Sequence, residues 1–309
     1  MRKIADDIST FLMVLVPCCL ILAAVTTSQA KSETTMHGSI DVFRIPTKLV
    51  RPVKGHRDRD LVVYTPPGYN APQNAQTRYP VVYLLHGSPG NAFNFLKFGE
   101  LNVLCDKLIA DGLVAPAIIV APDGNYAGEA HGDSEWVNSP DGKDKFDEFV
   151  ASEVVGYVDS HLRSLPDPQH RVIGGVSEGG YGAANIALKH PNVFGAVLSM
   201  SGYFTNDGSG WARPMMGHDQ SWLDANSPLT VISGKANATT AGLRQVRFFL
   251  GAGLHEKTYT DQTKQFANAL KLIGVDAKLD LITGKHGWLL WTQLLSEGLE
   301  DLLPAAGNQ

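Results

Sequence analysis

Two hydrophobic rhythms alternate along this chain. Short apolar runs recur at intervals, and between them lie longer stretches in which apolar positions return every three or four residues. The runs Ile40 to Ile45 and Leu61 to Tyr64 read as strands on either side of the charged stretch Lys54 to Asp60. Val81 to Leu85 is almost unbroken apolar sequence, as expected of a central parallel strand covered on both faces. Ala117 to Val120, Val172 to Gly175, Ala196 to Met200, Val246 to Leu250 and Ala277 to Ile282 continue the series. Helical periodicity occupies Leu101 to Asp111, Lys145 to Leu162, Tyr181 to Lys189, Thr260 to Ile273 and Leu289 to Leu303.

Strands alternating with helices predict an α/β chain with a mostly parallel central sheet and helices on both faces. Thr205 to Thr240 breaks the rhythm. It is rich in Gly, Asn, Ser and Pro, and reads as an insertion (205–240) over the cleft, a lid or substrate wall. In folds of this class ligands bind beyond the carboxyl ends of the strands, so chemistry is expected just after each one.

The first residues follow a different pattern. Arg2 and Lys3 precede an apolar run from Phe11 to Val25, and Ser28-Gln29-Ala30 has the small-x-small form of a cleavage site. Residues 1–30 are therefore expected to be a secretory signal peptide, with 31–309 one domain that is secreted, periplasmic or held in the cell envelope. Asp6, Asp7 and Pro17 are unusual in such a leader, and an uncleaved membrane anchor is the competing reading. After cleavage no stable membrane insertion is expected.

Charge and cysteine content narrow the function classes. The chain has 26 Lys and Arg against 31 Asp and Glu, a net charge of −5, with no basic stripe, which disfavours a nucleic-acid partner. Two of its 3 cysteines lie in the leader, so an intramolecular disulfide is not expected. Cys105, in an apolar helical stretch, reads as packing. The histidines show no H-E-x-x-H spacing and no dinucleotide or phosphate-loop fingerprint stands out, so no cofactor or metal is expected. Asn237-Ala238-Thr239 is a glycosylation sequon, relevant only to a eukaryotic chain.

The candidate chemistry begins at Gly175-Val176-Ser177-Glu178-Gly179. This G-x-S-x-G follows a strand candidate and precedes an Ala-rich helix candidate, the context in which the motif projects a serine hydroxyl from a tight strand-to-helix turn. A serine needs a base to take its proton. His286 follows the last strand in Thr283-Gly284-Lys285-His286-Gly287-Trp288 and is better placed than His190, His218 or His255. A carboxylate must orient the imidazole and should follow the strand Val246 to Leu250. Glu256 is nearer the strand end, and Asp261 is the alternative, resembling a first-turn helix acid. The oxyanion donors are expected from the amide of Glu178 and from Leu85-His86-Gly87-Ser88-Pro89-Gly90, with Ser88 as the donor and Gly87 the alternative.

With these pieces together the chain resembles the esterase family of α/β-hydrolases. Its members include feruloyl and acetyl-xylan esterases, S-formylglutathione hydrolases, enterochelin esterases and mycobacterial mycolyltransferases. The resemblance runs from about Leu61 to Leu295. It is carried by Tyr83 to Gly87, Ala121-Pro122-Asp123-Gly124, Gly175 to Gly182, His190-Pro191 with Phe194, Ser201-Gly202, and His286-Gly287-Trp288 with Trp291. It implies an α/β-hydrolase fold, a triad with Ser177 and His286, and an acid about thirty residues before the histidine, which favours Glu256. Two departures stand out: Glu178 replaces the Met or Gln frequent after the nucleophile, and the acid loop lacks Gly-Thr-x-Asp. A carboxylate at position 178 could repel acidic substrates or, if buried, carry a raised pKa. Asp133-Ser134-Glu135-Trp136 resembles a cleft-lining segment, which makes Trp136, Trp211 and Trp288 candidate walls, with ordinary packing the other reading.

The expected activity is that of a serine esterase acting on a small-molecule or polysaccharide-linked ester. Acyl transfer to a sugar or lipid hydroxyl through the same intermediate is the alternative, and a non-catalytic binding module on the same fold is a third. The sequence leaves the oligomeric state open.

Overall fold

The computed structural model describes residues 36–52, 58–125, 134–206, 216–234 and 242–306. The leader, Trp211 and the sequon at Asn237 lie outside the described residues.

Eight strands form one sheet: β1 (Ser39–Pro46), β2 (Asp58–Thr65), β3 (Val81–Leu85), β4 (Ile118–Pro122), β5 (Arg171–Val176), β6 (Ala196–Met200), β7 (Arg247–Gly253) and β8 (Ala277–Ile282). Their spatial order is β1-β2-β4-β3-β5-β6-β7-β8. The β1–β2 and β2–β4 pairs are antiparallel and all others are parallel. The mostly parallel α/β architecture read from the sequence is the one observed.

Helices α1 (Asn94–Gly99), α2 (Leu101–Ala110), α3 (Phe146–Glu148) and α4 (Val155–His161) precede the central strand β5 or its neighbours. Helices α5 (Glu178–Lys189), α6 (Gln220–Ala225), α7 (Pro228–Gly234), α8 (Lys257–Leu272) and α9 (Trp288–Leu302) follow. Successive side chains of a strand point to opposite faces, and the core divides accordingly. Val81, Tyr83 and Leu85 of β3 join one apolar cluster with residues of α5 and α8. Val82 and Leu84 join the other with Leu101, Cys105 and Leu108 of α2 and the leucines of α9. Strands β3 to β6 are buried along their full length, which is why their sequences are apolar without alternation.

Boundaries differ from expectation where local preference yields to packing. Helix α5 begins at Glu178 rather than Tyr181. Gly179 and Gly180 are poor helix formers, but a Cβ on Gly179 would lie 2.0 Å from the Leu85 carbonyl oxygen, so the close approach to β3 requires glycine. The stretch 145–162 is not one regular helix, because a π-helical turn at Phe149–Val154 separates α3 from α4. The described part of the 205–240 insertion holds two short helices, too brief to show a period. They dock on α5 through the Tyr181 hydroxyl, which donates to the Asn226 carbonyl at 2.6 Å.

Parallel register brings the strand ends into line. Leu85 pairs with Gly175, Val176 with Met200, and Gly253 with Ile282. The residues that follow, His86, Ser177, Ser201, Glu256 and His286, therefore emerge along one edge of the sheet.

Candidate active site

Ser177 occupies the turn between β5 and α5 with φ 55° and ψ −117°, a backbone conformation that L-residues rarely adopt. Holding it costs on the order of 1–3 kcal/mol, so neighbouring bonds must maintain it. The Ser177 N–H donates to the Met200 carbonyl at 2.8 Å, and the Tyr181 N–H closes onto the Ser177 carbonyl at 3.0 Å. The turn leaves the hydroxyl facing His286, whose Nε2 lies 2.9 Å from Ser177 Oγ.

On its other side His286 Nδ1 lies 2.6 Å from Glu256 Oε2. The second oxygen of that carboxylate accepts from the Ser201 hydroxyl at 2.5 Å and from the Gly253 N–H at 2.6 Å. Three donors converge on one buried carboxylate, and the imidazole meets it by donating from Nδ1. Nε2 is then the acceptor, turned toward the serine. Glu256 occupies the N-cap position of α8. Asp261 does not join this group. It lies a turn into α8, is paired with Lys257, and its pKa is lowered by that hydrogen bond. Of the two acids the sequence offered, Glu256 is the one that lies against His286.

The loop after β3 lies against the nucleophile: a Cβ on Gly87 would sit 3.2 Å from Ser177 Cβ. Ser88 follows in this loop, and the Glu178 amide opens α5, where N–H groups point outward along the helix axis. His86 braces the loop instead of acting as a base. Its Nε2 accepts from the Gly124 N–H at 3.0 Å, and Nδ1 lies 3.1 Å from the Gly87 carbonyl. The Trp136 indole N–H adds a bond to the His86 carbonyl at 3.0 Å.

That contact separates the two readings of Trp136, wall or packing. Trp136 is not a cleft wall: it is fully buried, seated over Gly182, where a Cβ would lie 2.6 Å from its own Cβ. Ser134 and Glu135 are buried with it, and Asp133 lies outside the described residues. The segment holds the loop after β3 from behind. The Glu178 side chain is also buried, accepting the Glu135 N–H at 2.7 Å, so its carboxylate is turned away from solvent. Trp288 is partly exposed and packs on Phe95, Phe98 and Trp291 at centroid distances of 5.3, 5.9 and 5.4 Å.

Three neighbours of the site carried no chemical role in the sequence reading. Ser201 was visible only as a landmark after β6. Trp291 donates its indole N–H to Ser201 Oγ at 3.0 Å and meets the His286 ring edge-on at 4.9 Å. Tyr259 stacks on a face of that ring, with centroids 4.1 Å apart and planes 21° from parallel. The position of Tyr259 three residues after Glu256, on the first turn of a helix capped by the acid, was the available signal. Cys105 is buried, and burial pushes its thiol up to about 12, which leaves it inert at neutral pH. Among the described residues no group of three or more His, Cys, Asp or Glu side chains is arranged to hold a metal ion.

A family model described as "Putative esterase" matches residues 54–302. An endo-1,4-beta-xylanase/feruloyl esterase of Xylanibacter ruminicola is 30% identical over 141 residues, covering 45% of this chain but only 19% of the relative. An acetyl esterase of Caldicellulosiruptor saccharolyticus is 22% identical over 71% of this chain and 81% of its own. Among solved structures, a ferulic acid esterase superposes with a TM-score of 0.76 and 25% identity, over 87% of this chain and 98% of that one.

If the hydroxyl at 177 is activated by this geometry, it should react with an electrophile that needs no substrate recognition. An alkyl fluorophosphonate is expected to add once, on the peptide containing Ser177. Labelling should vanish in Ser177→Ala and slow by at least about 100-fold in His286→Ala. Equal labelling of the His286 variant would mean that the imidazole does not activate the serine.

Proposed function

The chain belongs to the esterase family of α/β-hydrolases, and from that premise we propose that it hydrolyses carboxylic esters through an acyl-enzyme on Ser177. The observation that carries this reading is the unbroken chain of contacts from Glu256 through His286 to Ser177 Oγ. His286 Nε2 takes the serine proton as Oγ attacks the ester carbonyl, and Glu256 stabilises the imidazolium that forms. The carbonyl oxygen gains negative charge, met by the Ser88 and Glu178 amides. Collapse breaks the bond to the alcohol, which leaves with the proton from Nε2. Water then repeats the sequence on the acyl-serine and releases the acid.

Water is the favoured acceptor because the His286 side chain is 31% exposed, so solvent can reach the base. The substrate class follows from the rim. Phe98, 48% exposed, lies beside the half-buried Trp288, which meets Trp291, the neighbour of His286, so an aromatic surface leads toward the base. Such a surface suits an aryl acyl group, in keeping with the feruloyl and ferulic acid esterases to which the chain is similar. A polysaccharide-linked aryl ester is therefore the proposed substrate. Export by the N-terminal leader fits that substrate, and no helix among the described residues is long and apolar enough to cross a membrane.

Methyl esters share a leaving group, so comparing methyl ferulate with methyl acetate isolates the acyl side. The enzyme is expected to hydrolyse both, with the larger kcat/KM for methyl ferulate. Ser177→Ala and His286→Ala should each lose on the order of 10³-fold or more. Undiminished hydrolysis by Ser177→Ala would overturn the acyl-enzyme, and a preference for acetate would overturn the aryl assignment alone. N-terminal sequencing of the exported chain is expected to begin at Lys31, and an intact leader on the exported protein would contradict cleavage there.

A further inference from the structure

Ser201 stands where the backbone would prefer glycine. It follows β6, is fully buried, and holds φ at 51°, in the left-handed region that L-residues seldom occupy. Its N–H donates to the Gly251 carbonyl of β7 at 2.8 Å, which fixes it to the neighbouring strand. Its hydroxyl makes two bonds, to Glu256 Oε1 at 2.5 Å and to the Trp291 indole nitrogen at 3.0 Å. An indole N–H can only donate, so the Ser201 oxygen accepts from Trp291. The single hydroxyl proton is left for Glu256 Oε1. The direction of the chain is thereby set, from Trp291 through Ser201 to the carboxylate.

That chain bears on which oxygen reaches the base. Glu256 Oε1 takes the Ser201 hydroxyl and the Gly253 N–H at 2.6 Å, which leaves Oε2 for His286 Nδ1 at 2.6 Å. One donor on Oε1 would let the carboxylate swing about that contact, whereas two donors from different strand ends fix its plane. Resting on the acyl-enzyme reading above, we propose that Ser201 is a positioning residue, which holds the Glu256 carboxylate with Oε2 against His286 and is itself aimed by Trp291. Trp291 sits one turn after the base. Its backbone N–H donates to the Gly287 carbonyl at 3.0 Å, and its ring meets the imidazole edge-on at 4.9 Å. The same residue therefore touches the base directly and the acid through Ser201.

Neither Ser201 nor Trp291 gives up a proton in this role. Their effect is on geometry, because the imidazole presents Nε2 to Ser177 Oγ while Nδ1 is docked on Oε2. His286 serves as base for the serine and then for water, so a misplaced imidazole slows acylation and deacylation together. The role therefore shows in kcat and leaves KM alone. A merely structural role at the strand end would instead lower the melting temperature while the folded enzyme turned over normally.

The test is steady-state hydrolysis of p-nitrophenyl acetate by Ser201→Ala, Trp291→Phe and the double variant, with circular dichroism to establish folding. Ser201→Ala is expected to lose about 10-fold or more in kcat, with KM within about twofold of wild type. Fluorophosphonate labelling of Ser177 should slow by a similar factor. Ser201→Gly is the second variant: relief of the backbone favours its folding, and the same loss in kcat is expected. Trp291→Phe keeps an aromatic ring beside His286 and removes the N–H, and should lose about 3- to 10-fold. Since the indole N–H reaches the carboxylate through Ser201, the double variant should match Ser201→Ala within about twofold. Near-normal kcat in folded Ser201→Ala or Ser201→Gly would overturn the proposal. Losses that multiply in the double variant, or an unchanged Trp291→Phe, would overturn the part given to Trp291. Failure of the underlying reading looks different: Ser177→Ala would hydrolyse the ester as well as the wild type.

Discussion

One buried carboxylate organises the edge of this sheet. Glu256 receives the hydroxyl of Ser201 after β6, the backbone N–H of Gly253 at the end of β7 and the imidazole of His286 after β8. A charge removed from water is tolerable only when its lone pairs are engaged, and here each donor comes from a different strand end or the loop after it. The carboxylate therefore ties the position of the imidazole to the register of three parallel strands. Two aromatic rings complete the cradle, Tyr259 on one face of His286 and Trp291 at its edge.

The nucleophile is held by a separate device. The uncommon backbone of Ser177 persists because β6 accepts its N–H and because glycine at 179 lets α5 press against β3. The same pressing together places the His86–Gly90 loop beside the serine. That loop is fixed from behind by the ring of His86 and the indole of Trp136, both of which are buried. Rigid elements thus hold His286, Ser177 and the loop after β3, the proposed base, nucleophile and oxyanion loop, from independent directions. Little reorganisation remains to be done when charge develops on the substrate, and such preorganisation is a major source of rate enhancement in sites of this kind.

Much of this was legible in the residues. All eight strands announced themselves as short apolar runs, most plainly β3 to β6, where burial on both faces leaves no polar positions to disguise the pattern. Ser177 and His286 could be picked from their places just beyond strand ends. Glu256 and Asp261 could not be separated with certainty, because both follow β7 and the distinction depends on where α8 begins. A helix starting at Lys257 puts Glu256 at its cap, facing back to the strand ends, and sends Asp261 outward to Lys257. Trp136 was left between two readings because a tryptophan near a cleft and one beneath it have the same local sequence; only the facing glycine at 182, from a different element, tells them apart. Ser201 and Tyr259 were missed for a related reason. Each meets the site through a neighbour distant in sequence, and nothing periodic marks such a residue.

The central claim is that Glu256, and no other acid, orients His286. Its most direct test compares kcat/KM for ester hydrolysis by Glu256→Gln and Asp261→Asn with the wild type. The amide at 256 keeps the shape of the side chain but stabilises the wrong imidazole tautomer and no longer supports the imidazolium. A loss on the order of 10²–10⁴-fold is expected for Glu256→Gln, with Asp261→Asn within about twofold of wild type. Near-normal activity in Glu256→Gln, or a large loss in Asp261→Asn, would contradict the account.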